Sequence, residues 1–217
     1  MFETALTLND LMFLAKGAGL TLMITAIAVT GGTLLGIVFG TLRSQISPWL
    51  ALPLTFVLDI FRSVPLLIQL ILANAFQAIA GLNWPPFTTS CLVLALYCSA
   101  YCTEIVRGAI DAVPHVTRRA ARSLGLSWRQ DMTHIVFPMA LRVALPSWIG
   151  LVLGVMKDSA LVLWLGIIEL LRASQILVTR LQEPMFILLV TGAIYFALSF
   201  PIARLGGRLE KRWREND

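Results

Sequence analysis

Charged side chains stand inside stretches of this sequence that are otherwise apolar: Asp59 with Arg62, Glu104 with Arg107, Lys157 with Asp158, and Glu169 a little further on. Residues three apart share a helical face, so Asp59 can pair with Arg62, and Glu104 with Arg107. An ionised group in the middle of a bilayer costs about 3 kcal/mol unless it faces protein or a water-filled path. Two uses follow, and spacing alone leaves both open: ion pairs that lock helix packing, or fixed charges along a path for a charged cargo. Neither is bond-breaking chemistry. No Gly-x-x-x-x-Gly-Lys-Ser/Thr run occurs, so there is no loop to cradle nucleotide phosphates. Cys91, Cys98 and Cys102 fall at helical spacing in one apolar segment without histidines nearby. They read as small packing residues rather than a metal site or a disulfide.

The elements that must hold these groups are membrane helices. The chain has 217 residues, of which 58% are hydrophobic and 13% charged, with a mean hydropathy of +0.81. That composition describes an all-α integral membrane protein. Residues 1–16 mix Phe2, Leu6 and Phe13 with Glu3, Asp10 and Lys16, which suits a short amphipathic helix along a membrane surface. Met1-Phe2-Glu3 lacks the basic start of a cleavable signal peptide, so the first apolar helix is expected to act as the targeting signal. No charge lies between Lys16 and Arg43, long enough to cross about 30 Å of hydrocarbon with tilt. Gly32, Gly36 and Gly40 recur every four residues there and offer a groove for a neighbouring helix backbone. Further spans are expected over residues 49–75, 87–106, from about 142 past Lys157 and Asp158, and 184–203, making five. Residues 169–183 read as a polar connection, and residues 206–217 as a basic tail.

Residues 109–146 form a polar, arginine-bearing interlude between those spans. Arg119-Ala120-Ala121-Arg122-Ser123-Leu124-Gly125 reads as about two helical turns stopped by Gly125, since glycine takes the left-handed conformation without steric cost. Ser127 stands three residues before Gln130, the spacing of a capping box, so a second helix starts there. Val116, Ala120 and Leu124 share one face of the first helix, and Arg118 and Arg122 another. From composition alone a solvated loop touching lipid headgroups would serve equally. A helix, a glycine turn and a second helix with arginines, in a chain of net charge +5, also has the outline of a DNA-reading motif. Long uncharged runs on both sides exclude nucleic acid as the partner.

The spacing of this interlude resembles the signature of the permease subunits of bacterial ATP-binding-cassette importers: Glu-Ala-Ala, three residues, Gly, nine residues, Ile, one residue, Leu-Pro. Ala120, Ala121, Gly125, Ile135 and Pro138 hold their places, while Arg119 stands where the family has Glu and Phe137 where it has Leu. Three other blocks are similar to the polar amino-acid branch (histidine, glutamine, arginine and cystine importers). Phe61-Arg62-Ser63-Val64-Pro65-Leu66-Leu67-Ile68-Gln69-Leu70 resembles Phe-Arg-Gly-Thr-Pro-Leu-Leu-Val-Gln-Leu. Ser99-Ala100-Tyr101-Cys102-Thr103-Glu104-Ile105-Val106-Arg107-Gly108 resembles Ala-Ala-Tyr-x-x-Glu-x-x-Arg-Gly. Met156-Lys157-Asp158-Ser159-Ala160-Leu161 and Gly166-Ile167-Ile168-Glu169-Leu170 resemble Leu-Lys-Asp-Thr-Ser-Leu and Gly-Val-x-Glu-Leu.

The resemblance implies an importer permease fold with a cytoplasmic coupling helix at Arg119, Ala120, Ala121, Leu124 and Gly125, inside a coupling stretch 109–138 of a permease domain 17–205. It implies a second permease subunit, identical or homologous, two ATPase subunits that bind the ATP, and a periplasmic or surface-anchored solute-binding protein. No cofactor or metal is expected on this chain. With the coupling stretch in the cytoplasm of a bacterium, five spans across the cytoplasmic (inner) membrane put residues 1–16 in the periplasm and the carboxyl terminus in the cytoplasm. Twelve of the 17 basic residues then lie on or beside the inner face, the positive-inside pattern. For an amino-acid cargo, Arg62 and Lys157 would meet the carboxylate, Glu104 and Asp158 the cationic groups, and Glu169 is a further candidate. The competing class is an ion-coupled secondary carrier using the same intramembrane charges, but no internal repeat of the kind such carriers contain is visible.

Overall fold

A computed structural model describes residues 6–214, and among these the only regular structure is helical. The first helix, α1 (Leu8–Gln45), opens on a reciprocal cap: the Thr7 side chain accepts from the Asp10 amide, and the Asp10 carboxylate accepts from the Thr7 amide at 2.9 Å. The Asp10 carboxylate also pairs with Arg180 and is buried. The boundary expected at residue 16 therefore falls inside one unbroken helix, because the cap at Thr7 starts it two turns sooner. Residues 1–5 of the expected surface helix lie outside the described residues.

The second expected span, 49–75, is broken instead. α2 (Pro48–Ser63) and α3 (Leu66–Ile79) meet at an elbow of 109°. Pro65 has no N–H and drives Val64 out of the helical region, to φ −84° and ψ 132°. The elbow leaves carbonyls of the last turn of α2 without helical donors. The Gln69 amide reaches back to two of them, Phe61 O at 2.9 Å and Val64 O at 2.7 Å.

α4 (Pro86–Asp111) runs parallel to α1 and packs on its glycine stripe. A Cβ added at Gly32 or Gly36 would stand 2.5 Å from the Cβ of Cys98 or Cys102, and one at Gly40 would stand 2.7 Å from that of Val106. Only glycine admits that approach.

Beyond α4, α5 (His115–Ser123) and α6 (Trp128–Asp131) form the polar interlude. α6 passes through a π turn, Met132–Val136, into α7 (Phe137–Asp158) and a 3-10 stretch, Ser159–Leu165. The fourth span thus begins at Trp128, well before the expected start near Arg142, and runs as one rod to Leu165.

Gly166, at φ +84°, turns the chain into α8 (Leu170–Leu181), so the expected polar connection 169–183 is mostly helix. Its Ala173 and Leu177 pack with Leu14, Ala18 and Ile187. α9 (Pro184–Arg214) continues past residue 203 through most of the expected separate tail, with Gly206 lying directly against Ile149 of α7. Four stretches are long and apolar enough to cross a membrane, and the α2–α3 pair makes a fifth where its two halves count as one broken span.

Candidate functional site

Tyr97, Tyr101 and Glu104 lie at helical spacing on one face of α4 and form a polar seam along it. The two tyrosine rings are 4.9 Å apart between centroids. The Tyr97 hydroxyl faces Asp158 at the end of α7. Tyr101 donates to the backbone oxygen of Arg62 at 3.3 Å, and the Arg62 guanidinium stands 6.0 Å above the Tyr101 ring, within cation–π range. At the foot of the seam one carboxylate serves three guanidiniums. Glu104 accepts from Arg43 of α1, lies 3.3 Å from Arg62 of α2, and takes Nε and Nη2 of Arg107 at 3.1 and 2.9 Å. Arg62 also reaches Asp59 at 3.3 Å, and Arg107 reaches Asp111 at 2.9 Å.

The second constellation is α5 and its footing. Gly125, at φ +82°, ends the helix in a Schellman pair: the Leu126 amide donates to Ala121 O at 3.2 Å and the Gly125 amide to Arg122 O at 3.0 Å. Ser127 and Gln130 then exchange the two bonds of a capping box, which starts α6. Asp131, fully buried at the end of α6, accepts from Arg118 Nε at 3.3 Å and lies 3.9 Å from Arg122 Nη2. Trp128 donates to Gln45 at 3.1 Å, tying α6 to the end of α1. Val113, Met132, Val136 and Ala140 form a small core beneath. The opposite side of α5 is open: Val116 is 76% exposed and Leu124 82%, and Arg119 and Ala120 are exposed with them.

The helix is thus capped at its end, shows an uncovered apolar ridge, and stands on the end of a long apolar rod. Residues 32–215 match the family described as "Binding-protein-dependent transport system inner membrane component". The chain belongs to that family. Relatives include the probable amino-acid ABC transporter permease protein YckA of Bacillus subtilis, 30% identical over 98% of this chain and 94% of its own length. The histidine/lysine/arginine/ornithine transport system permease protein HisM of Salmonella typhimurium is 30% identical over 92% of this chain and 89% of its own. A chain from the crystal structure of an amino acid ABC transporter with histidines superposes with a TM-score of 0.84 at 31% identity, covering 92% of this chain and 94% of that one.

For this member of the family, the sequence-derived site residues separate into groups. Arg62, Glu104 and Asp158 are gathered along the α4 seam. Lys157, beside Asp158, is exposed. Glu169 is elsewhere and wholly buried. It caps α8 by accepting from the Leu171 and Arg172 amides at 2.8 and 2.7 Å, and it also accepts from Thr21 at 3.3 Å and Tyr195 at 3.2 Å. That carboxylate bolts α1, α8 and α9 together. Ala121 is likewise buried, facing the chain rather than a partner, whereas Arg119, Ala120, Leu124 and Gly125 face out.

Three participants escaped the sequence reading. Arg43, which in the sequence marks only the end of an uncharged run, is nearly buried against Glu104. Pairing Gly40 with Val106 puts Arg43 level with Ala109, about 7.5 Å beyond Glu104 along the helix, and the long arginine side chain leans back toward the amino-terminal end of α1 to reach it. Tyr97 lies one turn before Tyr101 and was legible as its partner. Asp131 gave no sign, because only the fold of α6 against α5 brings it to the arginines.

Proposed function

We propose that the protein is the transmembrane permease subunit of an ATP-binding-cassette importer that carries a polar amino acid into the bacterial cytoplasm, powered by ATP hydrolysis on a separate subunit. The observation that carries this reading is the open Val116–Ala120–Leu124 ridge of α5, locked through Asp131 to the base of a membrane rod. The names of the relatives, and the amino acid ABC transporter with histidines among the similar structures, support an amino-acid cargo. In this reading the chain pairs with a second permease, identical or homologous, and α5 is received by one of two ATPase subunits in the cytoplasm. A solute-binding protein delivers cargo from outside, the amino terminus is external and the carboxyl terminus internal. The chain itself holds no cofactor or metal, and ATP belongs to its partner.

The geometry supports a mechanical link. Asp131 and Asp158 lie on the same rod, 27 residues and so about 40 Å apart. A displacement of α5 by the ATPases is carried along this continuous helical stretch toward the Asp158 end. There Asp158 and the Tyr97 and Tyr101 rings suit an ammonium, and Arg62 suits a carboxylate once it leaves Glu104. Glu104, shared by guanidiniums from α1, α2 and α4, acts as the latch at the inner end of the path.

The test is reconstitution with the cognate ATPase in proteoliposomes charged inside or outside with ATP, followed by uptake of labelled histidine, arginine and glutamine. Uptake that needs nucleotide and ATPase supports the reading. Uptake driven by an ion gradient with both omitted would replace it with a secondary carrier.

A further inference from the structure

The charge on α5 says something about the surface that receives it. Around the helix, the exposed arc runs from Arg122 and His115 through Arg119 and Ser123 to Val116, Ala120 and Leu124, while Ala121 faces inward. One half of the arc is therefore basic and the other apolar and small. No Asp or Glu occurs between Asp111 and Asp131, so α5 supplies no anion of its own. Asp131 serves Arg118 and, at longer range, Arg122. Arg119 and His115 make no ion pair among the described residues, and with Arg118 and Arg122 they line a concavity of about 140 Å³.

Burying such an edge against a neutral or basic wall leaves a desolvated guanidinium unpaired, which costs several kcal/mol. Resting on the coupling role assigned to α5, we infer that the ATPase groove receiving this helix carries a carboxylate set against Arg119, beside an apolar floor under Val116, Ala120 and Leu124. The family's glutamate at this position calls for the opposite sign in its groove, so this permease and its ATPase form a charge-matched pair that discriminates against ATPases of glutamate-bearing relatives. An anionic membrane surface is the weaker fit. Val116, Ala120 and Leu124 make too narrow an apolar stripe to hold a nine-residue helix in a headgroup layer, and the alanine ridge has no purpose there.

The experiment uses the intact transporter with the ATPase subunits that copurify with it. Arg119→Lys, treated with a water-soluble carbodiimide, places an amine where it can form an amide with any carboxylate in contact. Lys16, Lys157 and Lys211 are the chain's only other lysines and lie far from α5 in sequence. Mass spectrometry is expected to find a link from position 119 to an Asp or Glu of the ATPase groove, absent from Arg119→Ala. Arg119→Glu should lower ATP-driven uptake at least about tenfold, and reversing the charge of the mapped carboxylate should restore it. An assembled complex with no link at position 119, or Arg119→Glu transporting at the parent rate, overturns the inference while leaving the permease reading intact. A link absent from the complex, together with salt-sensitive binding to phosphatidylglycerol vesicles that Arg119→Glu abolishes, overturns it in favour of lipid. Failure of any ATPase to copurify overturns the permease reading itself.

Discussion

Arg118 donates its Nε to Asp131 at 3.3 Å, joining α5 to the base of the Trp128–Leu165 rod through a carboxylate with no exposed surface. A nine-residue helix is too short to hold its shape or its angle alone. This ion pair, the Schellman turn at Gly125 and the buried Ala121 fix α5 relative to the rod, so a push on α5 becomes a push on the rod.

Asp131→Asn should therefore separate two functions. Removing the charge leaves the largely covered Arg118 unpaired, a loss of about 3–5 kcal/mol for a buried pair broken on one side. The expected outcome is a lower melting temperature in detergent and ATP hydrolysis that continues with little uptake. The exchange Asp131→Arg with Arg118→Asp should recover part of both, and a purely steric role for Asp131 would show no such recovery.

Among the glycines, two substitutions predict opposite results. Gly36→Ala drives a Cβ to 2.5 Å from the Cβ of Cys102, so α1 and α4 must part, at about 1–3 kcal/mol. Gly19→Ala meets nothing within 4 Å and should be neutral or stabilise by up to about 1 kcal/mol through helix propensity. Melting temperatures of the two variants, measured side by side, check the packing of the stripe.

At the α2–α3 elbow, Gln69→Leu keeps the side-chain volume but leaves Phe61 O and Val64 O without their donor. Both carbonyls are part-buried, and stranding one costs up to about 1–3 kcal/mol, the figure for a fully buried group. Faster proteolysis between residues 61 and 66 is expected, with Gln69→Glu no better because a carboxylate cannot donate.

Along the seam, Asp158→Asn and Glu104→Gln should differ in kind. Asp158 is half-buried and makes no ion pair across helices among the described residues, so its neutralisation should leave melting unchanged and raise the KM for amino acids about tenfold or more, the worth of one lost charge-assisted contact. Glu104→Gln frees three arginines that share it, and should lower stability and let cargo leak. Equal effects on uptake and melting from both variants would erase the distinction between cargo contact and latch.

Local chemistry made much of this architecture readable. Gly125, Ser127 and Gln130 announced their turn and cap because each acts on the backbone within three residues. The four-residue glycine spacing announced a close helix pair in the same way. The elbow at Val64-Pro65 has a local cause in the sequence, since proline restricts the residue before it, but the hydropathy of the whole run masks it. α8 was hidden because its cap is a glutamate satisfied partly by Thr21 and Tyr195, far away in sequence. Basic residues near the chain end suggested a tail, but lysine and arginine are good helix formers and Gly206 packs on Ile149. Glu104 and Asp131 could be seen as charges, not as hubs, since their partners come from other helices.

Cys98 and Cys102 lie where Gly32 and Gly36 leave no room for a reagent, on the seam between α1 and α4. In the resting protein both thiols are shielded from maleimides. Should either become labelled while cargo moves, the rate would clock the separation of those two helices. Persistent silence would mean that they travel as one slab, and that the opening lies between other parts of the molecule.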